Sequence, residues 1–62
     1  MNIRLKFKIF EKFRNQCDFS RAADVSETVV SRVIHGRMKA DSFTKQKWAD
    51  LLDCEVEDIF GD

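Results

Sequence analysis

Apolar residues recur along most of this chain at the three- and four-residue spacing of helices, while strict two-residue alternation shows only near its start. In residues 4–14, Phe7, Ile9, Phe10 and Phe13 fall on one broad arc with Lys8, Glu11 and Lys12 opposite, which predicts a first amphipathic helix. Ile3, Leu5, Phe7 and Ile9 also alternate with Arg4, Lys6 and Lys8 as a strand would. Phe10 and Phe13 break that alternation, and a lone strand would have no partner, so helix is the reading; residues 1–4 stay open between extended and helical. Asn15 reads as an N-cap, with Asp18 at the third helical position as a variant capping box. A second helix follows at 16–23, offering Phe19, Ala22 and Ala23 for burial.

Asp24 and Val25 leave room only for a turn before the most fully punctuated stretch of the chain. Ser26 caps a third helix at about 27–35, and Glu27 places negative charge at the positive end of its dipole. Val30, Val33 and Ile34 supply an apolar back, while Glu27, Thr28, Ser31 and Arg32 form a hydrogen-bonding front. Gly36 can adopt the left-handed conformation that closes a helix, and Arg37 follows at the negative end. Two short helices joined by about three turn residues, with small alanines where the second approaches, make a helix-turn-helix. Residues 37–43 read as a basic loop. Asp41 or Ser42 then caps a fourth helix at about 43–53 with Trp48, Leu51 and Leu52 on its inner face. A final turn at 56–60 brings Val56, Ile59 and Phe60 to close the core.

Composition supports one all-α domain over residues 1–62. Sixty-two residues are near the lower limit for an independent core. No Pro and only Gly36 and Gly61 argue against a many-turned β protein. The longest apolar run is two residues, so no membrane span is expected. Charged residues interrupt the N-terminal segment throughout, so no secretory signal is expected, and a reducing cytoplasm with free thiols is the expected setting. Cys17 and Cys54 are too few for a disulfide framework, and Cys54, near Leu51, Leu52 and Val56, reads as a small core residue. His35 would be a third possible ligand, but no second histidine or close cysteine pair completes a tetrahedral metal site. Neither a metal nor another cofactor is expected.

Net charge is zero, yet the charges are unevenly placed. Residues 1–14 carry Arg4, Lys6, Lys8, Lys12 and Arg14 against Glu11, a local +4. Residues 15–36 hold Arg21 and Arg32 against Asp18, Asp24 and Glu27, giving −1. Residues 37–47 carry Arg37, Lys39, Lys45 and Lys47 against Asp41, a further +3. Asp50, Asp53, Glu55, Glu57, Asp58 and Asp62 make the remaining segment −6. Such a molecule can turn a positive face to phosphates and its acidic end away, although ordinary solvated helix faces give similar blocks.

Four pieces in order resemble the lambda-repressor-like, or XRE-type, helix-turn-helix family, and small phage repressors and Cro-like regulators within it. Gln16 followed by Phe19 is similar to the Ser-Gln-x-x-Leu opening of the family's second helix. Val25-Ser26-x-x-x-Val30-Ser31-Arg32-Val33-x-x-Gly36-Arg37 matches its recognition helix and terminal glycine. Trp48-Ala49-x-Leu51-Leu52 resembles the Ile-Ala-x-x-Leu of its fourth helix, and Cys54-x-x-x-x-Ile59-Phe60 its closing Val-x-x-x-x-Leu-Phe. Together they cover roughly residues 10–60. The resemblance implies a five-helix DNA-binding domain in which Ser26, Glu27, Thr28 and Arg32 read base edges. Gln16, Ser31, Arg37 and Lys39 would contact phosphates. Three departures stand out: Ser20 and Ala23 replace the family's Ala and bulky Leu, Asp24 occupies the turn position where Gly is usual, and Glu27 opposes non-specific binding.

The function these readings imply is sequence-specific transcriptional regulation on double-stranded DNA, with no small-molecule ligand. Any homodimer would be weak or assembled on DNA, since no long C-terminal dimerisation segment is visible. The alternative is an interaction module on the same scaffold, such as an antitoxin or a phage factor that binds a host protein, using Glu55, Glu57 and Asp58. An enzyme is not expected. One His and two separated Cys justify no catalytic set, and no phosphate-cradling glycine loop is present.

Overall fold

The computed structural model describes residues 1–61, and backbone capping divides these described residues into five helices. They are α1 (Ile3–Lys12), α2 (Gln16–Ala23), α3 (Glu27–Ile34), α4 (Ser42–Leu51) and α5 (Val56–Phe60). No strand occurs among the described residues, and no helix among them is long and apolar enough to cross a membrane. Asp62, counted in the acidic segment, lies outside the described residues.

Each of the first four helices starts on a side chain that accepts an otherwise orphaned backbone N–H. Asn2 accepts from Leu5 N–H at 3.0 Å, Asn15 from Asp18 at 2.9 Å, Ser26 from Val29 at 3.2 Å and Asp41 from Thr44 at 2.8 Å. At α5 the Asp58 carboxylate accepts from the Glu55 N–H at 3.0 Å. Asn2 does more than cap. Its N–H donates to Ile34 O at 2.6 Å and its Nδ2 to Ile59 O at 2.6 Å, tying α1 to the ends of α3 and α5. Residues 3 and 4 are therefore helical, not extended.

The ends of α2, α3 and α4 share one geometry. After α2, Asp24 turns left-handed (φ 58°, ψ 42°), with Asp24 N–H donating to Arg21 O and Val25 N–H to Ser20 O. After α3, Gly36 (φ 77°) and Arg37 donate in the same way to Val33 O and Arg32 O. After α4, Asp53 (φ 54°) and Cys54 donate to Asp50 O and Ala49 O. Each is a Schellman closure, in which one left-handed residue lets two N–H groups satisfy the last carbonyls. Asp is among the few non-glycine residues that enter this region at modest cost.

The core comprises Leu5, Ile9, Phe19, Ala23, Val30, Val33, Ile34, Trp48, Ala49, Leu52 and Ile59. At its centre Phe19 meets Trp48 edge to face at 5.1 Å; Phe13 meets Phe19 at 5.4 Å, and Phe60 lies against Trp48 at 6.2 Å. This aromatic chain joins the end of α1 to α2, α4 and α5, and the α3 triplet Val30, Val33 and Ile34 is buried as its spacing predicts. Leu51, Val56, Phe60 and Cys54 pack at the margin instead of the centre. Ala22 is exposed, whereas Ser20 is buried and its Oγ donates to Cys17 O at 2.7 Å, which removes the cost of enclosing a hydroxyl.

The expected inner face of α1 is corrected by the structure. Leu5 and Ile9 are the buried pair, while Ile3, Phe7 and Phe10 are 55%, 68% and 46% exposed. An alternating sequence wound into a helix sends residues four apart to one side, so Leu5 and Ile9 face inward and Ile3 and Phe7 outward.

Two expectations follow. Asp24→Val, which forces a β-branched residue into the left-handed region, should cost about 1–2 kcal/mol in denaturant unfolding, whereas Asp24→Gly should stabilise. The bond from the Thr44 backbone N–H, helped by the Thr44 side chain, holds the Asp41 carboxyl below its ordinary value. Its contribution is full above that ordinary value of about 3.9 and is lost as pH falls through the lowered folded value. The stability difference between wild type and Asp41→Asn should therefore shrink on acidification below about pH 4.

Candidate nucleic-acid interface

With its apolar triplet buried, α3 must present its other side outward. Glu27, Thr28 and Arg32 are exposed and Ser31 half-exposed. The Schellman turn at Gly36 brings Arg37 back beside the helix, and the turn at Asp24 sets α2 against α3 so that Gln16, in the first turn of α2, reaches the same surface. Gln16, Glu27, Thr28, Ser31, Arg32 and Arg37 together line an open groove of about 420 Å3. Six of the eight sequence-derived positions meet there.

The other two lie elsewhere. Ser26 lines neither this groove nor its neighbour; its Oγ is occupied as the acceptor for Val29 N–H. Lys39 lines a separate cleft of about 310 Å3 with Asn2, Val33, Met38, Ala40, Lys45 and Phe60, because the chain turns away from α3 after Arg37.

His35 is the residue that sequence reasoning missed. It shares with Ser31, Arg32 and Arg37 a recess of about 190 Å3 beside the groove. Its Nδ1 stands 2.8 Å from Ser31 O, so Nδ1 carries the proton and Nε2 is left for a partner. The available signal was its position one turn after Ser31, immediately before the closing glycine.

Arg32 and Arg37 give the groove two guanidinium groups against the single carboxylate of Glu27. No ion pair binds either arginine to a carboxylate among the described residues, where the salt bridges are Lys8–Glu11 at 3.7 Å and Lys12–Asp53 at 3.9 Å. The surface thus combines uncommitted fork-shaped donors, two hydroxyls of which one carries a methyl group, an amide and one carboxylate, a set able to meet phosphate oxygens and base edges.

The thiols and the imidazole offer different chemistry. Cys17, Cys54 and His35 do not join any group of three or more metal-ligating side chains among the described residues. Burial raises the Cys54 thiol above its ordinary pKa, against the opposing influence of Lys8 and reinforced by Asp58, Asp53 and Glu55. That keeps it protonated at neutral pH, unlike an activated nucleophile.

Comparisons with protein-family models, with curated proteins and with solved structures find no match.

Since the Ser26 hydroxyl caps the N-terminus of α3, Ser26→Ala should lower unfolding free energy by about 1 kcal/mol, measured by denaturant titration, whereas Thr28→Ala should leave stability nearly unchanged.

Proposed function

We propose that this chain is a sequence-specific double-stranded DNA-binding domain of the lambda-repressor-like helix-turn-helix type, with α2 and α3 as the motif and α3 as the recognition helix in the major groove. In a cell it would regulate transcription, as a repressor occupying an operator that overlaps a promoter. The observation that carries this reading is the convergence of Gln16 from α2 with Glu27, Thr28, Ser31 and Arg32 from α3, and Arg37 beyond it, on one exposed surface.

The roles follow from chemistry. Arg32 pairs bidentately with guanine O6 and N7, Thr28 meets a thymine methyl, and Glu27 accepts from cytosine N4 while discouraging other sequences. Gln16, Ser31 and Arg37 hold phosphates on either side of the helix. Ser26 lies at the N-terminus of α3, where its backbone is close to the DNA but its hydroxyl oxygen is already an acceptor. Lys39 serves as an outer phosphate contact reached only by a duplex that extends past Arg37.

Selection of bound duplexes from a random DNA pool tests the proposal directly. An enriched motif supports it; a pool that never enriches overturns it in favour of a protein-interaction module. On the selected site, Arg32→Ala should cost about 1–3 kcal/mol and relax preference at one base pair. Arg37→Ala should weaken all sequences alike and reduce the salt dependence of binding by about one unit of slope.

A further inference from the structure

The outward side of α1 exposes three large apolar residues that neither the core nor the candidate interface uses. Ile3, Phe7 and Phe10 are spaced by four and three residues and stay 55%, 68% and 46% exposed, opposite the buried pair Leu5 and Ile9. Water-exposed aromatic residues in a row along one helix are costly to leave uncovered. We propose that this stripe is a self-association face, on which α1 of a second copy of this chain packs antiparallel across a two-fold axis passing between the two Phe7 side chains. This goes beyond the DNA-binding reading and does not depend on it.

The charges beside the stripe identify the occupant. Arg4 and Glu11 are both exposed and, at 3.6 residues per turn, project from the same edge of the stripe. Arg4 precedes Phe7 by three residues and Glu11 follows it by four. An antiparallel two-fold through Phe7 therefore brings Arg4 of one copy and Glu11 of the other onto one side, within about 1.5 Å of the same level. The pairing occurs twice, once in each direction, while Ile3 of each copy faces Phe10 of the other. A two-fold contact requires such self-complementarity. Within one chain Glu11 holds only Lys8, at 3.7 Å and in an exposed position, and that weak pair is readily exchanged.

The face is also small. Its apolar area is roughly 300 Å2 per copy, set against roughly 800 Å2 per partner in stable complexes. Lys6, half-buried at the other edge of the stripe, meets its own counterpart across the axis and opposes the contact. The dimer is accordingly weak, populated between about 10 µM and 1 mM.

Sedimentation equilibrium of the whole chain, without DNA, reads this out. A monomer–dimer equilibrium in that range is expected. Phe7→Asp should weaken it at least about a hundredfold, because two phenyl rings per dimer are lost. Arg4→Glu and Glu11→Arg should each weaken it about tenfold by setting like charges opposite each other, and the two together should restore it to within about threefold. Both exchanges give the ends of α1 the charges its dipole favours, so a weakened dimer cannot be ascribed to a weakened helix; circular dichroism checks this. A chain that stays monomeric to 1 mM overturns the proposal. So does a dimer indifferent to Phe7→Asp, or one in which the double exchange is no better than the single ones.

Discussion

The edge-to-face contact between Phe19 and Trp48 is the interaction on which this molecule rests. A chain of 62 residues encloses few side chains completely, and Trp48 and Phe19 are the largest that this one buries. Phe13 extends the contact toward α1 and Phe60 toward α5, so four helices meet through one continuous aromatic column. The arrangement leaves the Trp48 Nε1 without a hydrogen-bond partner among the described residues. Dispersion and area burial from the flanking rings oppose that desolvation cost. Because the column fixes α2 against α4, it also fixes where α3 can dock, and hence which of its faces remains outside.

Local geometry then converts that packing into a usable surface. Side-chain caps start the helices, and left-handed residues close three of them within two residues of their ends. The closure at Asp24 turns α3 against α2 tightly enough that Gln16 joins the outer face of α3. The closure at Gly36 does the same for Arg37. Asn2 adds a further tie, donating to the last carbonyl of α3 and to the Ile59 carbonyl of α5. α3 is thus held at both ends by backbone hydrogen bonds and along its back by Val30, Val33 and Ile34. Such double anchoring holds the outer face of α3 in one fixed orientation.

Where a signal was local, the sequence was a reliable guide. The caps at Asn15, Ser26 and Asp41, the apolar triplet of α3 and the glycine after it are each decided by neighbours within four residues, and each holds in the structure. Where the outcome depended on distant partners, it was less legible. The α1 segment has apolar residues on opposite sides, and only the positions of α2, α3 and α5 decide that Leu5 and Ile9 are enclosed and Phe7 and Phe10 are not. Some local outcomes were illegible as well: the hydroxyl of buried Ser20 finds a carbonyl one turn back, against what residue type alone suggests. Lys39 sits close to Arg37 in sequence but across a turn in space, and His35 joins the arginines through a bond to Ser31 O one turn back, a spacing that the apolar pattern does not mark.

The placement of Trp48 has an optical consequence. As the only tryptophan, fully enclosed between two phenylalanine rings, it is a built-in fluorophore whose emission reports the dry interior and little else. Occupancy of the outer face of α3 should leave its spectrum nearly silent, whereas loosening of the column should shift it red. One wavelength scan can therefore tell a variant that has lost a surface contact from one that has lost its shape.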